Sequence, residues 1–182
     1  MISRRQRVAC CAALVLVCAP RSARAQPTGS VDLSAAYVYL RDPTVDVSFA
    51  AGWNVGASLR IHEWLSVAAE IDDSRKTMST VAGDLSLGVR AFMAGARASA
   101  KLGRAVEFGQ VLLGAARASG TAFGVTEAHT HPSAQIGAGI DYPLHRGVAL
   151  RVELDYRVVL GDRFSVLDRQ VRALTGVVVR VF

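Results

Sequence analysis

Residues 48–61, SFAAGWNVGASLRI, alternate between two kinds of side chain. The odd positions are all apolar, and the even positions are small or polar. Alternation with period two is typical of a β-strand, because successive side chains of a strand point to opposite faces of the sheet. A strand of this length therefore separates an apolar environment from a polar one. The alternation alone does not decide which of the two is the interior of the protein.

The same alternation predicts further strands along the chain. Five of them are regular and lie at residues 31–40, 65–72, 84–93, 133–142 and 148–158. Two are less regular, at residues 106–116 and 171–182. In the first of these the phase slips near Gly109-Gln110, which predicts a β-bulge. Together with residues 48–61, the pattern predicts eight strands.

The connections between these strands alternate in length. The short ones are residues 62–63, 99–104 and 143–146, and the mostly longer ones are residues 41–46, 73–83, 117–131 and 161–169. Short turns at one end and long loops at the other are typical of an up-and-down barrel in an outer membrane.

The size of the side chains indicates which face is the interior. A soluble barrel points its large apolar side chains inward, whereas a membrane barrel points them outward to lipid. Here Trp, Phe, Tyr, Leu, Ile and Val share one face, and Gly, Ser, Asn and charges share the other. We therefore predict an all-β fold, an eight-stranded antiparallel up-and-down transmembrane barrel with short periplasmic turns and longer extracellular loops. A soluble barrel with its charges in water is the alternative.

Two sets of site residues follow from this orientation. The predicted lipid-facing set comprises Phe49, Trp53, Val55, Leu59, Ile61, Leu150, Val152, Leu154 and Tyr156. The lumen of an eight-stranded barrel is only wide enough for side chains to fill it, and buried charges must be paired. The predicted interior charge network is structural and comprises Arg60, Glu70, Asp72, Arg90, Arg151, Glu153, Asp155 and Arg157. Glycines such as Gly137 and Gly139 would leave room for it.

Residues 1–25 have a different character. Three arginines precede an apolar run at residues 8–19, and residues 23–25, Ala-Arg-Ala, fit a small-x-small cleavage pattern. This is typical of a secretory signal peptide, and the run is too short to span a bilayer as a helix. We expect cleavage after Ala25, which leaves residues 26–182 as one barrel domain. A buried N-terminal helix is the alternative.

Removal of this segment changes the charge balance. The full chain has 21 basic and 15 acidic side chains, for a net charge of +6. Five arginines and no acids lie in residues 1–25, so sixteen basic and fifteen acidic side chains remain. The high isoelectric point therefore does not indicate a nucleic-acid partner. All three cysteines also lie in residues 1–25, which excludes disulfides and thiolate metal sites from the mature chain.

Four segments carry a resemblance to a known family. They are FGQVLLGAARASG (108–120), AQIGAGIDYPL (134–144), VALRVELDYR (148–157) and VRALTGVVVRVF (171–182). The chain resembles the small OmpA-like and OmpX-like outer-membrane β-barrel domains of Gram-negative bacteria. The resemblance implies location in the outer membrane, contact with its lipid, and recognition by the barrel assembly machinery through the C-terminal strand ending at Phe182. It implies little about activity.

The C-terminal strand departs from the usual family pattern. Phe182 is terminal, but its alternate neighbour is Arg180. Residues Val177, Val179 and Val181 form the more apolar phase. Either Val181 takes the lipid-facing place and Phe182 is one residue extra, or Arg180 reaches the interface with its long side chain.

Few side chains suggest chemistry. His129 and His131 would place two rings on one strand face, but only Glu127 is near enough to add a ligand, so no metal site is expected. His131 and Ser133 resemble the His-x-Ser pair of lipid A deacylases. However, a serine nucleophile needs an orienting acid, none is evident, and Ser133 is in the inward phase. Glu153 and Asp155 are flanked by arginines, which favours salt bridges. No catalytic residue, metal or cofactor is expected.

These observations favour a structural or surface-interaction protein whose loops at residues 73–83 and 117–131 make the contacts. No surface partner can be named from the sequence. The first alternative is a narrow ion-conducting pore gated by the interior charges. The second is a lipid-modifying outer-membrane enzyme that uses His131 and Ser133.

Overall fold

Eight β-strands form the fold in our computed structural model, which describes residues 29–43, 47–80, 83–122, 125–161 and 169–181. They are β1 (Val31–Asp42), β2 (Val47–His62), β3 (Leu65–Thr80), β4 (Gly83–Leu102), β5 (Ala105–Ala122), β6 (Val125–His145), β7 (Val148–Val159) and β8 (Arg169–Arg180). Each strand is antiparallel to its neighbours, and β1 pairs with β8, so the barrel closes. The predicted eight-stranded antiparallel barrel is confirmed. Nowhere in the described ranges is there a helix long and apolar enough to cross a membrane.

Three of the predicted features lie wholly or for the most part outside the described residues. They are the signal peptide at residues 1–25, the loop at residues 161–169 and the terminal residue Phe182.

Short turns join the strands at one end of the barrel, which we call the turn end; the opposite end is the loop end. At the turn end, β4 and β5 are joined by residues 103–104, and β6 and β7 by residues 146–147. Gly103 and Gly147 have φ angles of 60° and 76°. This left-handed conformation is costly for residues with a Cβ atom, so glycine permits these tight turns.

The loop end differs from the prediction. Most of residues 73–83 and 117–131, which were predicted as loops, belong to the β3–β4 and β5–β6 hairpins. Strands β4, β5 and β6 contain 20, 18 and 21 residues, whereas β1, β7 and β8 contain 12 each. The alternation fades in these extensions because polar side chains stand on both faces, although the backbone ladder continues.

The outer surface of the barrel is rich in large apolar side chains. Trp53, Val55, Leu59 and Ile61 of β2 are each about half exposed and face outward. On β7, the outward positions are Leu150, Val152, Leu154 and Tyr156. Buried charges inside and exposed apolar side chains outside are the reverse of a soluble barrel.

Phe49 is an exception to the predicted orientation of β2. It is fully buried and faces the interior. The register between β1 and β2 shifts between Val38 and Leu40, so that Leu40 pairs with Phe49. Two residues of β2, Ala50 and Ala51, lie there opposite the single residue Tyr39 of β1. This one-residue bulge moves Phe49 to the opposite face, and the alternation of residues 48–61 does not show it.

The phase of β4 is also the reverse of the prediction. Val89, Ala91 and Met93 face the interior, and Phe92 is 59% exposed on the outside. Arg90 therefore faces outward and is not part of the interior network. Both faces of this strand carry apolar residues, because part of the lumen is itself apolar. The alternation of β4 consequently does not identify the lipid side.

The pairing of β5 and β8 with their neighbours decides the register of these two irregular strands. Strand β5 pairs continuously with β4 and β6, so the bulge predicted at Gly109-Gln110 is wrong. In β8, Val177 and Val179 are exposed on the outside, whereas Arg180 pairs with Asp32 of β1. Val181, exposed as well, continues the outward phase, which is the first of the two registers considered above.

The interior contains apolar clusters as well as charges. One cluster, toward the loop end, comprises Val38, Leu40, Phe49, Val89 and Leu174. A second comprises Ala68, Ala91, Met93, Leu112, Ala116 and Val159. The charged residues occupy the rest of the lumen.

Candidate functional site

The inward face of β7 carries the central column of interior charges. Arg151, Glu153, Asp155 and Arg157 alternate with outward apolar residues and are all at least 96% buried. Alternate residues of a strand are about 7 Å apart, so the column runs through the lumen from the turn end toward the loop end. Other strands supply partners at each level.

The level nearest the loop end joins β3, β7 and β8. Asp72 accepts hydrogen bonds from both terminal nitrogens of Arg157, one of them at 3.2 Å between Nη1 and Oδ2. The same carboxylate lies 3.2 Å from Nη2 of Arg172, which also donates from Nη1 to Asp155 Oδ2 at 2.9 Å. Asp72, Arg157 and Arg172 are fully buried. Ions so far from water must compensate one another, and this set has two positive and two negative members.

Two glutamines complete this level. The Oε1 atom of Gln135 accepts hydrogen bonds from Arg157 Nε at 2.9 Å and from Arg172 Nη1 at 2.8 Å. Gln170 accepts from Arg157 Nη1 at 3.4 Å. Gln135 therefore gives Arg157 Nε an acceptor, and the amide oxygens give each Nη1 atom a second acceptor beside its carboxylate.

The middle level joins β3, β4, β5 and β7. Arg97 donates to Glu70 Oε1 at 3.0 Å and to Gln110 Oε1 at 2.6 Å. The amide nitrogen of Gln110 donates to Glu153 at 2.5 Å and to Glu70 at 3.2 Å. Gln110 thus links two carboxylates that would otherwise repel each other. Asn54 adds a further contact to Glu70 at 3.4 Å.

An aromatic ring separates the middle level from the turn end. The guanidinium carbon of Arg97 lies 4.5 Å from the centre of the Phe108 ring, and that of Arg151 lies 4.6 Å away. Both distances are typical of cation–π contacts. Gly139 leaves space for this ring, because a Cβ atom there would lie 2.6 Å from Phe108 Cζ.

The level at the turn end contains two bidentate pairs. Arg151 donates to both oxygens of Asp141, at 2.7 and 2.8 Å. Arg180 donates to both oxygens of Asp32, at 2.8 and 3.2 Å. Arg60 is also buried here, and its closest described carboxylate oxygen, on Asp32, is 3.9 Å away.

The structure places seven of the eight charges predicted for the network inside the barrel and places Arg90 outside. There Arg90 pairs with Asp73 at 2.6 Å. Sequence reasoning missed several members of the network, namely Asp32, Arg97, Gln110, Gln135, Asp141, Gln170 and Arg172. Arg97 stands on β4, whose phase the alternation predicts wrongly, and Gln110 stands at the wrongly predicted bulge of β5. Arg172 alternates with Leu174, so its face does not look polar in sequence.

One group of three carboxylates within the described ranges has the spacing of a metal site. Oxygens of Glu70, Glu153 and Asp155 lie within 4.8 Å of one another. Each of these carboxylates already accepts a hydrogen bond, from Arg97, Gln110 and Arg172 respectively. Cationic and amide donors occupy the positions that a metal ion would need, so the donor set fits ion pairing better than metal binding.

The candidate catalytic pair lies on the inward face of β6. Ser133 is 3% exposed, and its hydroxyl donates to the sulfur of Met93 at 3.6 Å. The ring of His131 stacks on that of His129 with 6.4 Å between centroids. The serine hydroxyl therefore contacts a thioether inside the barrel, whereas a nucleophile needs a base at hydrogen-bond distance.

The chain is similar to a known family in sequence and to known barrels in structure. A family model described as outer membrane protein beta-barrel domain matches residues 9–174. A search of curated proteins found no match. Neisserial surface protein A (NspA) has a similar structure, with a TM-score of 0.68 and 16% identity over 84% of this chain and 96% of that one.

Two further structures are similar. Ail, the attachment invasion locus protein of Yersinia pestis, solved with the heparin analogue sucrose octasulfate, gives a TM-score of 0.60 and 15% identity over 85% of this chain and 100% of Ail. The N-terminal β-barrel domain of Pseudomonas aeruginosa OprF gives 0.58 and 16% over 86% and 100%. At these identities the similarity concerns the fold.

Proposed function

The chain belongs to the outer membrane protein beta-barrel domain family, and from this premise we propose that it is a structural or surface-interaction protein of a Gram-negative outer membrane. We propose further that residues 1–25 direct its export and are cleaved after Ala25, and that the barrel assembly machinery recognises the C-terminal strand ending at Phe182. The turn end faces the periplasm and the loop end faces the outside.

The closed interior is the observation that carries this proposal. Fully buried Arg157 and Arg172 lie across the lumen with their carboxylate partners, and Arg97, Phe108 and Arg151 stack below them. Paired charges that fill the lumen close it to solutes. A closed lumen does not suit transport, which supports a role at the surface of the barrel. The interior network is therefore proposed to be structural.

The outer surface supports contact with lipid. The proposed lipid-facing set is Trp53, Val55, Leu59, Ile61, Leu150, Val152, Leu154 and Tyr156, all exposed on the outside of the barrel. So much exposed apolar area on the outer surface of the barrel is unfavourable in water and favourable in a bilayer.

The outward face of the extended hairpins supports the surface-interaction role. Arg75 is 73% exposed and Arg90 is 49% exposed. Arg117 of β5 lies directly opposite Arg90 of β4 in the backbone pairing of the two strands, so a third cation stands beside them. Asp73 neutralises part of this charge. We propose that this basic patch contacts anionic groups outside the cell. The structure of Ail was solved with an anionic heparin analogue, which makes a sulfated glycan a useful probe here.

Cysteine labelling on intact cells tests location and orientation, because the mature chain has no cysteine of its own. Val125→Cys and Arg146→Cys stand at opposite ends of β6, and both positions are exposed. A membrane-impermeant maleimide should label Val125→Cys on intact cells and Arg146→Cys only after the outer membrane is opened. Equal labelling of both, or recovery of the protein from the soluble periplasm, contradicts the proposal.

Elution from a heparin column tests the basic patch. Arg75→Gln with Arg117→Gln should lower the salt concentration at which the folded barrel elutes. Arg104→Gln with Arg146→Gln, in the two turns at the turn end, removes the same charge as the matched control and should lower it less. If the control and the patch variant elute alike, the patch has no special role.

A further inference from the structure

A blind cavity of about 220 Å³ opens at the turn end of the barrel. Its inner wall is formed by Arg97 and Arg151, whose guanidinium groups stack on Phe108. The cationic side chains that line it are Arg60, Arg97, Lys101, Arg104, Arg151 and Arg180. The acidic ones are Asp32 and Asp141. Because the charged levels close the lumen above it, a molecule that enters this cavity must leave by the same opening.

The positive charge of the cavity is not balanced by its own acids. Both oxygens of Asp141 are engaged by Arg151, and both oxygens of Asp32 are engaged by Arg180. Lys101 and Arg104, at the rim, have no carboxylate within salt-bridge distance among the described residues. A concave, low-dielectric wall lined by one sign of charge concentrates ions of the other sign.

Arg60 is the independent observation that points to a ligand. Its side chain is 94% buried and lines the cavity, and its Nε atom has no hydrogen-bond acceptor in the described part of the chain. Nη1 donates to the carbonyl oxygen of Glu63 at 3.0 Å, and Nη2 is 3.9 Å from Asp32, which Arg180 already holds. A buried guanidinium is costly without acceptors, and an anion oxygen in the cavity would add one to this side chain, at Nη2, which has no carboxylate oxygen within hydrogen-bond distance among the described residues.

We propose that this cavity binds a phosphate group. Guanidinium groups bind phosphate oxygens through parallel hydrogen bonds, and an ammonium group such as that of Lys101 adds charge without a fixed geometry. The volume suits a phosphate with a short substituent and excludes a polymer. The inference rests on the proposed orientation, because the opening then faces the periplasm and the inner leaflet of the outer membrane.

Two sources can supply this phosphate at the turn end. One is the headgroup of a phospholipid in the inner leaflet, since the rim of the cavity lies at the edge of the barrel. The other is a small soluble phosphomonoester of the periplasm. Both present the same oxyanion to Arg60, so the test must separate them.

Calorimetry on the purified, folded barrel in a phosphorus-free detergent tests binding of the soluble form. Inorganic phosphate and glycerol phosphate are titrated at low salt, with acetate as the carboxylate control. Saturable phosphate binding is expected, weakened about tenfold by Lys101→Gln with Arg104→Gln, because two charge-assisted contacts are lost. These two side chains lie at the rim outside the ion pairs, so the barrel should still fold, as checked by heat-modifiable migration. Arg169→Gln, at the loop end of β8 and outside both the cavity and the basic patch, should leave the affinity unchanged.

Phosphorus NMR on micelles doped with phosphatidylglycerol tests the lipid form. Broadening of the lipid phosphate signal by the wild-type barrel, reduced in the Lys101→Gln, Arg104→Gln variant, supports a headgroup ligand. Variant-sensitive binding in either experiment supports the proposal and identifies the source. Absence of variant-sensitive binding in both, or equal affinity for acetate, overturns it. Since the barrel is purified, this failure is distinct from failure of the labelling test of location.

Discussion

Arg157 of β7 and Asp72 of β3 form a fully buried ion pair that connects opposite walls of the barrel. The two residues are 85 positions apart in sequence. Three strands lie between β3 and β7 in either direction around the barrel, so the pair spans the lumen. Arg172 shares the same carboxylate, which makes Asp72 the point where two cations meet one anion.

Replacement of Asp72 by asparagine should therefore destabilise the barrel strongly. The change leaves Arg157 without its carboxylate partner and removes one of the two carboxylate partners of Arg172. Loss of one partner of a buried ion pair costs about 3–5 kcal/mol. Urea unfolding in lipid vesicles, followed by fluorescence of Trp53 and Trp64, measures the difference. Glu107→Gln is the control, since Glu107 faces outward on β5, and its effect should be about 0.5 kcal/mol or less. Equal effects of the two changes would show that the pair does not hold the walls together.

The alternation of side chains was sufficient to predict the barrel, because a membrane barrel imposes opposite solvents on the two faces of every strand. This works best on β7, where charged and apolar residues alternate from Leu150 to Tyr156. It fails on β4, where Val89 and Met93 fill an apolar part of the lumen and Phe92 faces outward. When both environments are apolar, hydrophobicity does not distinguish them.

The interior network was predictable only in part, because its members come from strands far apart in sequence. The column on β7 was evident, but its partner Arg172 was not. Phe49 shows a second limit: its orientation depends on a bulge in β2, where Ala50 and Ala51 lie opposite the single residue Tyr39, and two small apolar residues do not mark a bulge in the alternation. The pairing with the neighbouring strand, and not the alternation, reveals such a position.

The two faces of β2 should respond differently to substitution. Val55 is 48% exposed on the outside, and an arginine near the bilayer midplane costs about 2–4 kcal/mol, so Val55→Arg should impair membrane assembly. Asn54 faces inward and makes one long hydrogen bond, to Glu70, so Asn54→Ser should cost about 1 kcal/mol. The yield of heat-modifiable protein in the outer membrane compares them. If both changes are equally mild, the assignment of inside and outside is wrong.

The orientation of β4 can be tested by spin labels at neighbouring positions. Phe92→Cys places a label on the outside, and Met93→Cys places one in the interior, where Met93 is 2% exposed. Molecular oxygen concentrates in the hydrocarbon region of the bilayer, so the rate at which it collides with the spin label should be high at position 92 and low at position 93. Ala94→Cys, also outward, should behave like position 92. The reverse order at these positions would restore the phase that the alternation predicted.

A methyl group at Gly137 should disturb the interior network. A Cβ atom there would overlap the carboxylate of Asp155, which pairs with Arg172. Overpacking of this kind costs about 1–3 kcal/mol, so Gly137→Ala should lower the free energy of unfolding by that amount. Gly109→Ala on the neighbouring strand is the matched control, since its Cβ would meet only a carbonyl oxygen at 3.9 Å. A loss of stability no larger than that of the control would mean that Asp155 moves aside without cost.

The closed lumen predicts that the wild-type barrel shows no stepwise conductance in a planar bilayer. Arg157, Arg172 and Glu153 are at least 98% buried, and their side chains occupy the space that an ion would need. Arg151→Gln with Glu153→Gln removes charge but little volume, so this variant should also be silent. Asp72→Ser with Arg157→Ser removes volume and leaves Arg172 paired with Asp155, so it is the change expected to raise conductance. Clear conductance by the wild type, altered by neutralisation of Arg151 and Glu153, would instead establish a narrow pore gated by these charges, because only an ion passing beside those two groups would respond to their loss.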